Sequence, residues 1–423
     1  MSSTKARQRH TDKQKHSEEK IPKKKLQDDK IARKSSRRWI LAFLIALSAT
    51  LVIPVLILIA WPSPVEPVII EGLSEPPELI GPLEANNVLE SAEQIYVDKV
   101  EGPESIVVDG DHIYTGTADG WVNHIHKGVV QKIATFGKEP CGGYLNENTC
   151  GRPLGMRMDK DGFLIVADAY YGLFKLNVVT GDYVPLHLST TPINGKEGKL
   201  INDLDIAPDG KIYFSDSSTK WHRNQFLMIL FEGVSNGRLL MYDPATGSTT
   251  ELLNDLLFAN GVQLTKDKSA VLISETFKAR ILKYDLKTKQ VTVWADNLPG
   301  FPDNIRYSKV TGTYWVGLAW NRQKGKFSLG DFLAPRPWLR SILAKVLSIK
   351  DLLILKKYFG STDTKTTALE LNEAGTIIRS IHDKTGEVIV SISEVESSDG
   401  VMYFGSYYAN YIGRLYRKNV PGL

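Results

Sequence analysis

Hydrophobic and polar positions follow three different patterns along the chain. In the first, residues 39–61 read WILAFLIALSATLVIPVLILIAW, 23 positions without a charge. At about 1.5 Å per residue a helix of that length reaches roughly 34 Å, enough to cross a bilayer. Trp39 and Trp61 bracket it where membrane helices carry aromatic belts, and Pro54 is tolerated inside such a helix. The pattern predicts one transmembrane helix. The basic run RKSSRR directly before it predicts a signal anchor with the N-terminus cytosolic. A cleaved signal peptide fits less well, because its apolar run is shorter. The expected result is a single-pass type II protein of the plasma membrane or endoplasmic reticulum, with its C-terminal bulk extracellular or lumenal.

The second pattern begins after a Pro-rich linker, residues 62–82. Short alternating strands recur, broken by tight turns, in six related phrases. ESIVVDGDHIYTGTADG (104–120) and MRMDKDGFLIVADAYYGLFKLN (156–177) are two of them, and LDIAPDGKIYFSDSS (204–218) is a third. VQLTKDKSAVLISETFKARILKYDL (262–286), IRYSKVTGTYWVGLAW (305–320) and ESSDGVMYFGSYYANYIGRLYR (396–417) complete the set. Turns at 109, 161, 209, 267, 311 and 399 give units of one small antiparallel sheet each. The prediction is an all-β fold, a six-bladed β-propeller over residues 83–423. A β-sandwich, its rival, does not explain the recurring phrase.

The third pattern interrupts the fifth unit. Within residues 331–360, Leu339, Ile342, Leu343, Val346 and Leu347 recur at helical spacing, with Arg340 and Lys345 expected on the opposite face. This short helical insertion is expected to pack on the propeller rim, or to form a lid that lines a substrate pocket or touches the membrane.

Composition refines this picture at two points. Among 423 residues, 42% are hydrophobic and 24% charged, ordinary for a chain with a sizeable core, and the net charge of +4 implies no nucleic-acid partner. That charge is unevenly placed. Residues 1–38 carry fourteen Lys/Arg against five Asp/Glu, while the rest of the chain is net acidic. The tail therefore reads as a solvated, disordered topology signal, with anionic lipid as the sharper alternative. The two cysteines, Cys141 and Cys150, flank a turn-rich loop, and an oxidising compartment favours pairing them.

Aligning the repeats exposes candidate chemistry. Seven residues before the turn positions of units two to five lie Leu154, Asn202, Asn260 and Asn304. In unit one, whose hairpin is two residues shorter, Glu104 takes the corresponding place. These positions open the first strand of each unit, which in a propeller lines the central channel. Glu104, Asn202, Asn260, Asn304 and the neighbouring Asp303 offer only oxygen ligands, two of them carboxylates. Such a set suits calcium. An asparagine taken singly reads as a turn or capping amide; four units sharing one register do not.

The motifs GPE (102–104), LINDLDIAPDGKIYFSD (200–216), FANGVQL (258–264) and PGFPDNI (299–305) resemble those of the calcium-dependent six-bladed propellers. That superfamily includes paraoxonases, gluconolactonases and strictosidine synthase-like proteins. CGRPLG (150–155), VADAYYGLFKLN (166–177), LFEGVSNGRLLMYD (230–243) and DFLAPRPWLR (331–340) narrow the resemblance to a membrane-anchored strictosidine synthase-like branch. It implies that Glu104, Asn202, Asn260, Asp303 and Asn304 hold a catalytic-type calcium, and that Asp203 serves a second, structural ion. It also implies two departures. The paraoxonase histidine assigned as general base falls at Leu154. The strictosidine synthase glutamate has no match, with Ser391 or Ser393 near its place, so condensation of an amine with an aldehyde is not expected.

Two function classes follow. One is a membrane-anchored, calcium-dependent hydrolase of esters or lactones, arylesterase-like, with Asp303 as nucleophile or base. The other is a non-catalytic, calcium-stabilised propeller that binds proteins. Histidines outside the channel suggest less. His124 and His126 share one strand face but, with no third ligand nearby in sequence, read as surface residues. His222 follows a strand end and reads as a loop histidine.

Overall fold

The computed structural model describes residues 23–139, 141, 146–347, 365–420 and 422. Two compact units divide the chain, residues 1–62 and 63–423.

In the first unit, helix α1 spans Lys23–Ala60. Its Lys30–Ala60 portion is long and apolar enough to cross a membrane. Leucine, isoleucine and phenylalanine side chains from Ile40 to Ile59 point outward all round, as lipid rather than protein contact requires. Thr50 returns its hydroxyl to the carbonyls of Ala46 and Leu47, both at 2.9 Å, so that donor is satisfied within the helix. The helix starts sixteen residues before Trp39, so residues 23–38 are helical rather than disordered. Lys, Arg, Gln, Leu and Ala dominate there and no Gly or Pro interrupts them. Residues 1–22 of the tail lie outside the described residues.

The second unit holds six four-stranded antiparallel sheets, the blades of a propeller. Their innermost strands are, in order, Ile106–Asp109, Pro153–Met158, Ile201–Ile206, Ala259–Leu264, Gly300–Ser308 and Glu394–Ser398. Each blade packs its apolar faces on the next. The cluster of Tyr213 and Leu239 from blade three with Val262, Val271 and Leu282 from blade four is one such seam. Inner strands are covered on both faces, which is why Ala259–Leu264 is buried at every position and shows no alternation. The outermost strand of blade four, Val291–Ala295, is largely exposed. Blade six is closed from the other end of the chain: Glu93–Ile95 pairs with Ile412–Tyr416 as its outer strand.

Among the described residues, four short α-helices accompany the blades. Helix α2, Glu147–Cys150, precedes blade two, and the Cys141–Cys150 disulfide ties it to the end of blade one. Helix α3, Phe226–Glu232, lies within blade three. Helices α4, Leu329–Leu333, and α5, Pro337–Val346, form the described part of the insertion in blade five; residues 348–360 lie outside the described residues. Leu227 and Phe231 of α3 pack with Leu333 and Ala344, so these helices form one cap. Arg340 does not face solvent as its spacing predicts. It is fully buried, and its guanidinium donates to the carbonyls of Leu230 at 3.0 Å and Phe231 at 3.2 Å, and also to Val68. The C-terminal carbonyls of α3 need donors that the helix cannot supply, and Arg340 provides them.

Candidate metal centre and cleft

The inner strands of blades two to five share an irregularity at their starts. In each, three residues on the inner strand span the distance of two on its neighbour. The intervals are Pro153–Met156, Ile201–Leu204, Ala259–Val262 and Pro302–Ile305. One extra residue is a β-bulge, which bends the strand and re-aims a side chain. Leu154, Asn202, Asn260, Asp303 and Asn304 all fall inside these bulges. Small residues let the bulged strands approach: a Cβ on Gly155 would lie 2.6 Å from Asp203 Cα, and one on Gly261 would lie 2.5 Å from the Asp303 carbonyl oxygen.

Glu104, Asn202, Asn260 and Asp303 line one cleft, together with Leu154, and all are buried. Asn304 is fully buried beside Asp303 and is not on the cleft wall. The amide groups are held by their nitrogen ends. Asn202 Nδ2 donates to Ser217 Oγ at 3.0 Å, Asn260 Nδ2 to Asp303 Oδ1 at 2.6 Å, and Asn304 Nδ2 to Glu394 Oε2 at 3.4 Å. Their oxygens have no hydrogen-bond partner. Neither does Glu104 Oε2, whose nearest cation is Arg152 Nη2 at 3.5 Å. Four orphaned oxygens in one register is far from the usual state of buried polar atoms, which are nearly always satisfied. The set fits a hard cation.

The carboxylates show the same deficit. Burial pushes the Asp303 carboxyl well above its ordinary value, and the nearby Glu104 charge adds to this. Glu104 is raised too, by burial, although Arg152 and Arg223 oppose the shift. Asp203, in contrast, is fully engaged. Arg306 donates to both its oxygens, at 2.7 and 2.9 Å, and Val262 N adds a third bond at 2.8 Å. The same guanidinium reaches Glu394 Oε2, so one buried arginine bridges two carboxylates on the channel side of blades three and six.

The cleft encloses about 580 Å³ of empty volume, its mouth included. Its walls are aromatic: Phe226 from the start of α3, Phe258, Phe277, Phe301, Trp320 and Tyr407. Arg223, paired with Glu147 at 2.5 Å, supplies a cation at the edge. That lining suits a small, largely apolar molecule with one polar group. Leu154 presents only alkyl surface where the resemblance places a histidine.

The remaining candidates lie elsewhere. Ser393 donates to the Glu104 carbonyl at 2.9 Å, and Ser391 sits 3.5 Å from the Tyr407 hydroxyl. His222 Nδ1 is 3.0 Å from the Lys199 carbonyl and its ring stacks on Tyr170, away from the cleft lining. The sequence reading missed Arg306, Glu394 and the aromatic walls. A signal for Glu394 exists: the unit-one offset of five residues, applied to the turn at Asp399, lands on it.

Family models match at two places: strictosidine synthase over residues 202–289 and the strictosidine synthase-like N-terminal region over residues 81–125. Strictosidine synthase-like 10 of Arabidopsis thaliana is 35% identical over 360 residues, covering 81% of this chain and 91% of its own length. Fold and these matches define a strictosidine synthase-like six-bladed propeller. Adipocyte plasma membrane-associated protein of Gallus gallus is 41% identical over 393 residues, 91% of this chain and 92% of that protein. The Homo sapiens protein of that name is 41% identical over 387 residues, 90% and 91% respectively. The chain belongs to this adipocyte plasma membrane-associated protein family. Among solved structures, a gluconolactonase from Xanthomonas campestris superposes with a TM-score of 0.52 at 13% identity, covering 84% of this chain and 98% of its own. A calcium-binding protein, regucalcin, from Agrobacterium tumefaciens gives 0.50 at 12% identity, covering 77% and 93%. At these identities both show the shared fold.

Proposed function

We propose that this protein is a membrane-anchored, calcium-dependent hydrolase of esters or lactones, arylesterase-like in substrate class. The observation that carries the reading is the set of four buried, unpartnered oxygens on Glu104, Asn202, Asn260 and Asn304 beside the Asp303 carboxylate. These five residues would hold the ion, and the bound ion would supply Lewis-acid polarisation of the substrate carbonyl and charge stabilisation as the oxyanion develops. Distant likenesses to a gluconolactonase and a calcium-binding regucalcin support this reading without carrying it.

The chain's own groups have definable tasks. Phe226, Phe258, Phe277 and Phe301 take the apolar part of the substrate and keep bulk water from the reacting carbon. Asn260 fixes Asp303 by its 2.6 Å hydrogen bond to Oδ1, so that Oδ2 is the oxygen left for chemistry. Asp303 in its ionised form either takes a proton from the attacking water and returns it to the departing alkoxide as the ester C–O bond breaks, or attacks the carbonyl itself. In the second case it expels the alkoxide, which leaves as alcohol with a proton from water, and forms a mixed anhydride that water then hydrolyses. With leucine at position 154, no imidazole shares that task.

The test uses the full-length protein in detergent, assayed for aryl ester and lactone hydrolysis while calcium is titrated. Activity should rise with calcium occupancy, vanish in chelator, and fall at least a hundredfold in Asp303→Ala together with calcium affinity, since ligand charge strongly tunes such sites. Calcium binding with no hydrolysis of any ester or lactone would instead favour a non-catalytic propeller for protein interaction, a reading that Leu154 supports.

A further inference from the structure

The hairpin after the inner strand of blade one turns at Gly110–Asp111, at the opposite end of that strand from Glu104. Side chains gather there that the cleft chemistry does not use. His112 opens the second strand and pairs directly across from His126 on the third, with His124 two residues away on the same face. The three rings stack nearly parallel. Centroids are 4.2 Å apart for His112 and His126 and 4.9 Å for His112 and His124, at interplanar angles of 13° and 15°. Asp111 joins from the turn, with Oδ2 2.8 Å from His126 Nε2 and Oδ1 3.4 Å from His112 Nε2. The third ligand that sequence spacing does not show is therefore brought in by hairpin register.

We propose that Asp111, His112 and His126 form a binding site for a divalent transition-metal ion of the zinc class, with His124 as a positioning residue. One ligand atom from each of the three lies within 4.8 Å of the others. Around a tetrahedral zinc, ligands at about 2.0–2.2 Å from the ion sit roughly 3.4 Å from one another, so the ligand atoms are already close, and closure needs the nearly parallel His112 and His126 rings to turn until their in-plane lone pairs converge. Two imidazoles and one carboxylate favour zinc, copper or nickel, and do not suit calcium, which takes oxygen. His124 Nε2 lies 2.7 Å from His112 Nδ1. When His112 Nδ1 carries the proton of that bond, its Nε2 lone pair is free for the ion, the usual way an outer partner sets the tautomer of a ligating histidine. The side chains of His112 and His126 are 38% and 31% exposed, which leaves the site open to an ion and to completing water.

The experiment is a zinc titration of the full-length, chelator-stripped protein in detergent, with saturating calcium present and a chromogenic chelator as competitor. One zinc per chain should bind. His112→Ala and His126→Ala should each weaken binding tenfold or more, and His124→Gln by a smaller factor while shifting the visible spectrum of the cobalt-substituted protein. Asp303→Ala should leave zinc binding unchanged. His126→Gln replaces the alanine variant if the latter loses its near-ultraviolet signature. Absence of stoichiometric zinc, or binding that survives the His112→Ala/His126→Ala double variant (as a site on His10 and His16 of the tail would), overturns the proposal.

Discussion

Asn260 places opposite demands on the two ends of one amide. Its nitrogen is committed to Asp303, while its oxygen is buried with nothing to accept from. Leaving such an acceptor unsatisfied costs about 1–3 kcal/mol, and the proposed ion would relieve several such deficits at once. Replacing the amide by a carboxylate sharpens that conflict. Asn260→Asp loses the donor to Asp303 and sets a third acidic group beside two that burial already disfavours. The variant should therefore be less stable than wild type without calcium. It should still bind calcium, with altered affinity, because the oxygen ligand remains. Thermal unfolding measured with and without calcium checks this: the calcium-induced rise in Tm should be larger in the variant. An equal rise in both would mean that Asn260 is not a ligand.

Strands and bulges carry these side chains to one axis, and here the sequence was only partly legible. The six-fold phrase, its turns and the register of Asn202, Asn260 and Asn304 could be read because each blade repeats the same local chemistry. Bulges could not, since one extra residue in a strand leaves no mark until its partner strand is known. The same limit hid Asp111 and His112 from His126, and it hid Glu93–Ile95 as the outer strand of the last blade, some 320 residues from its partner Arg414. Arg340 misled for another reason. Helical spacing assigns it a polar face, but the carbonyl ends of α3 make a buried cation favourable. The bulge also explains the glycine that follows Asn260. In Gly261→Ala the new Cβ would press on backbone of the next blade, at 2.5 Å from the Asp303 carbonyl oxygen and 2.7 Å from Asn304 Cα. Backbone cannot swing aside as a flexible side chain can, so blades four and five must part. The expected cost is about 1–3 kcal/mol, measured by denaturant unfolding, with calcium affinity reduced as Asp303 moves. Wild-type stability and affinity together would show that the inner strands have slack there.

For the molecule as a whole, topology and stability each make a prediction. If α1 is a signal anchor with its N-terminus cytosolic, protease added outside sealed cells should reach a tag at residue 423 and spare a tag at residue 1. The reverse pattern would overturn the type II reading. Stability should depend on acid through two buried imidazoles. His382 is held between the Thr367 and Ser380 hydroxyls at 3.0 and 2.7 Å, and burial, reinforced by Lys384, lowers it to about 4. Burial and Arg238 lower His187 to about 4 as well. An unfolded chain protonates histidine near pH 6.5, so between about 6.5 and 4 the unfolded state binds more protons than the native one. Each imidazole therefore contributes stability that is fully present above about pH 6.5 and is lost progressively towards pH 4, at most about 3 kcal/mol apiece. Asp168 works against this. Burial raises it to about 6, so the native state takes up its proton first and gains stability over part of the same interval. The net curve is a difference of such terms, and only a variant isolates one of them. His382→Gln keeps a polar side chain between the two hydroxyls and removes the titration. Denaturant unfolding at several pH values between 4 and 6.5 should show a slope flatter than wild type by up to about 1.4 kcal/mol per pH unit. Parallel curves would mean that His382 titrates in the folded protein as it does in the unfolded chain.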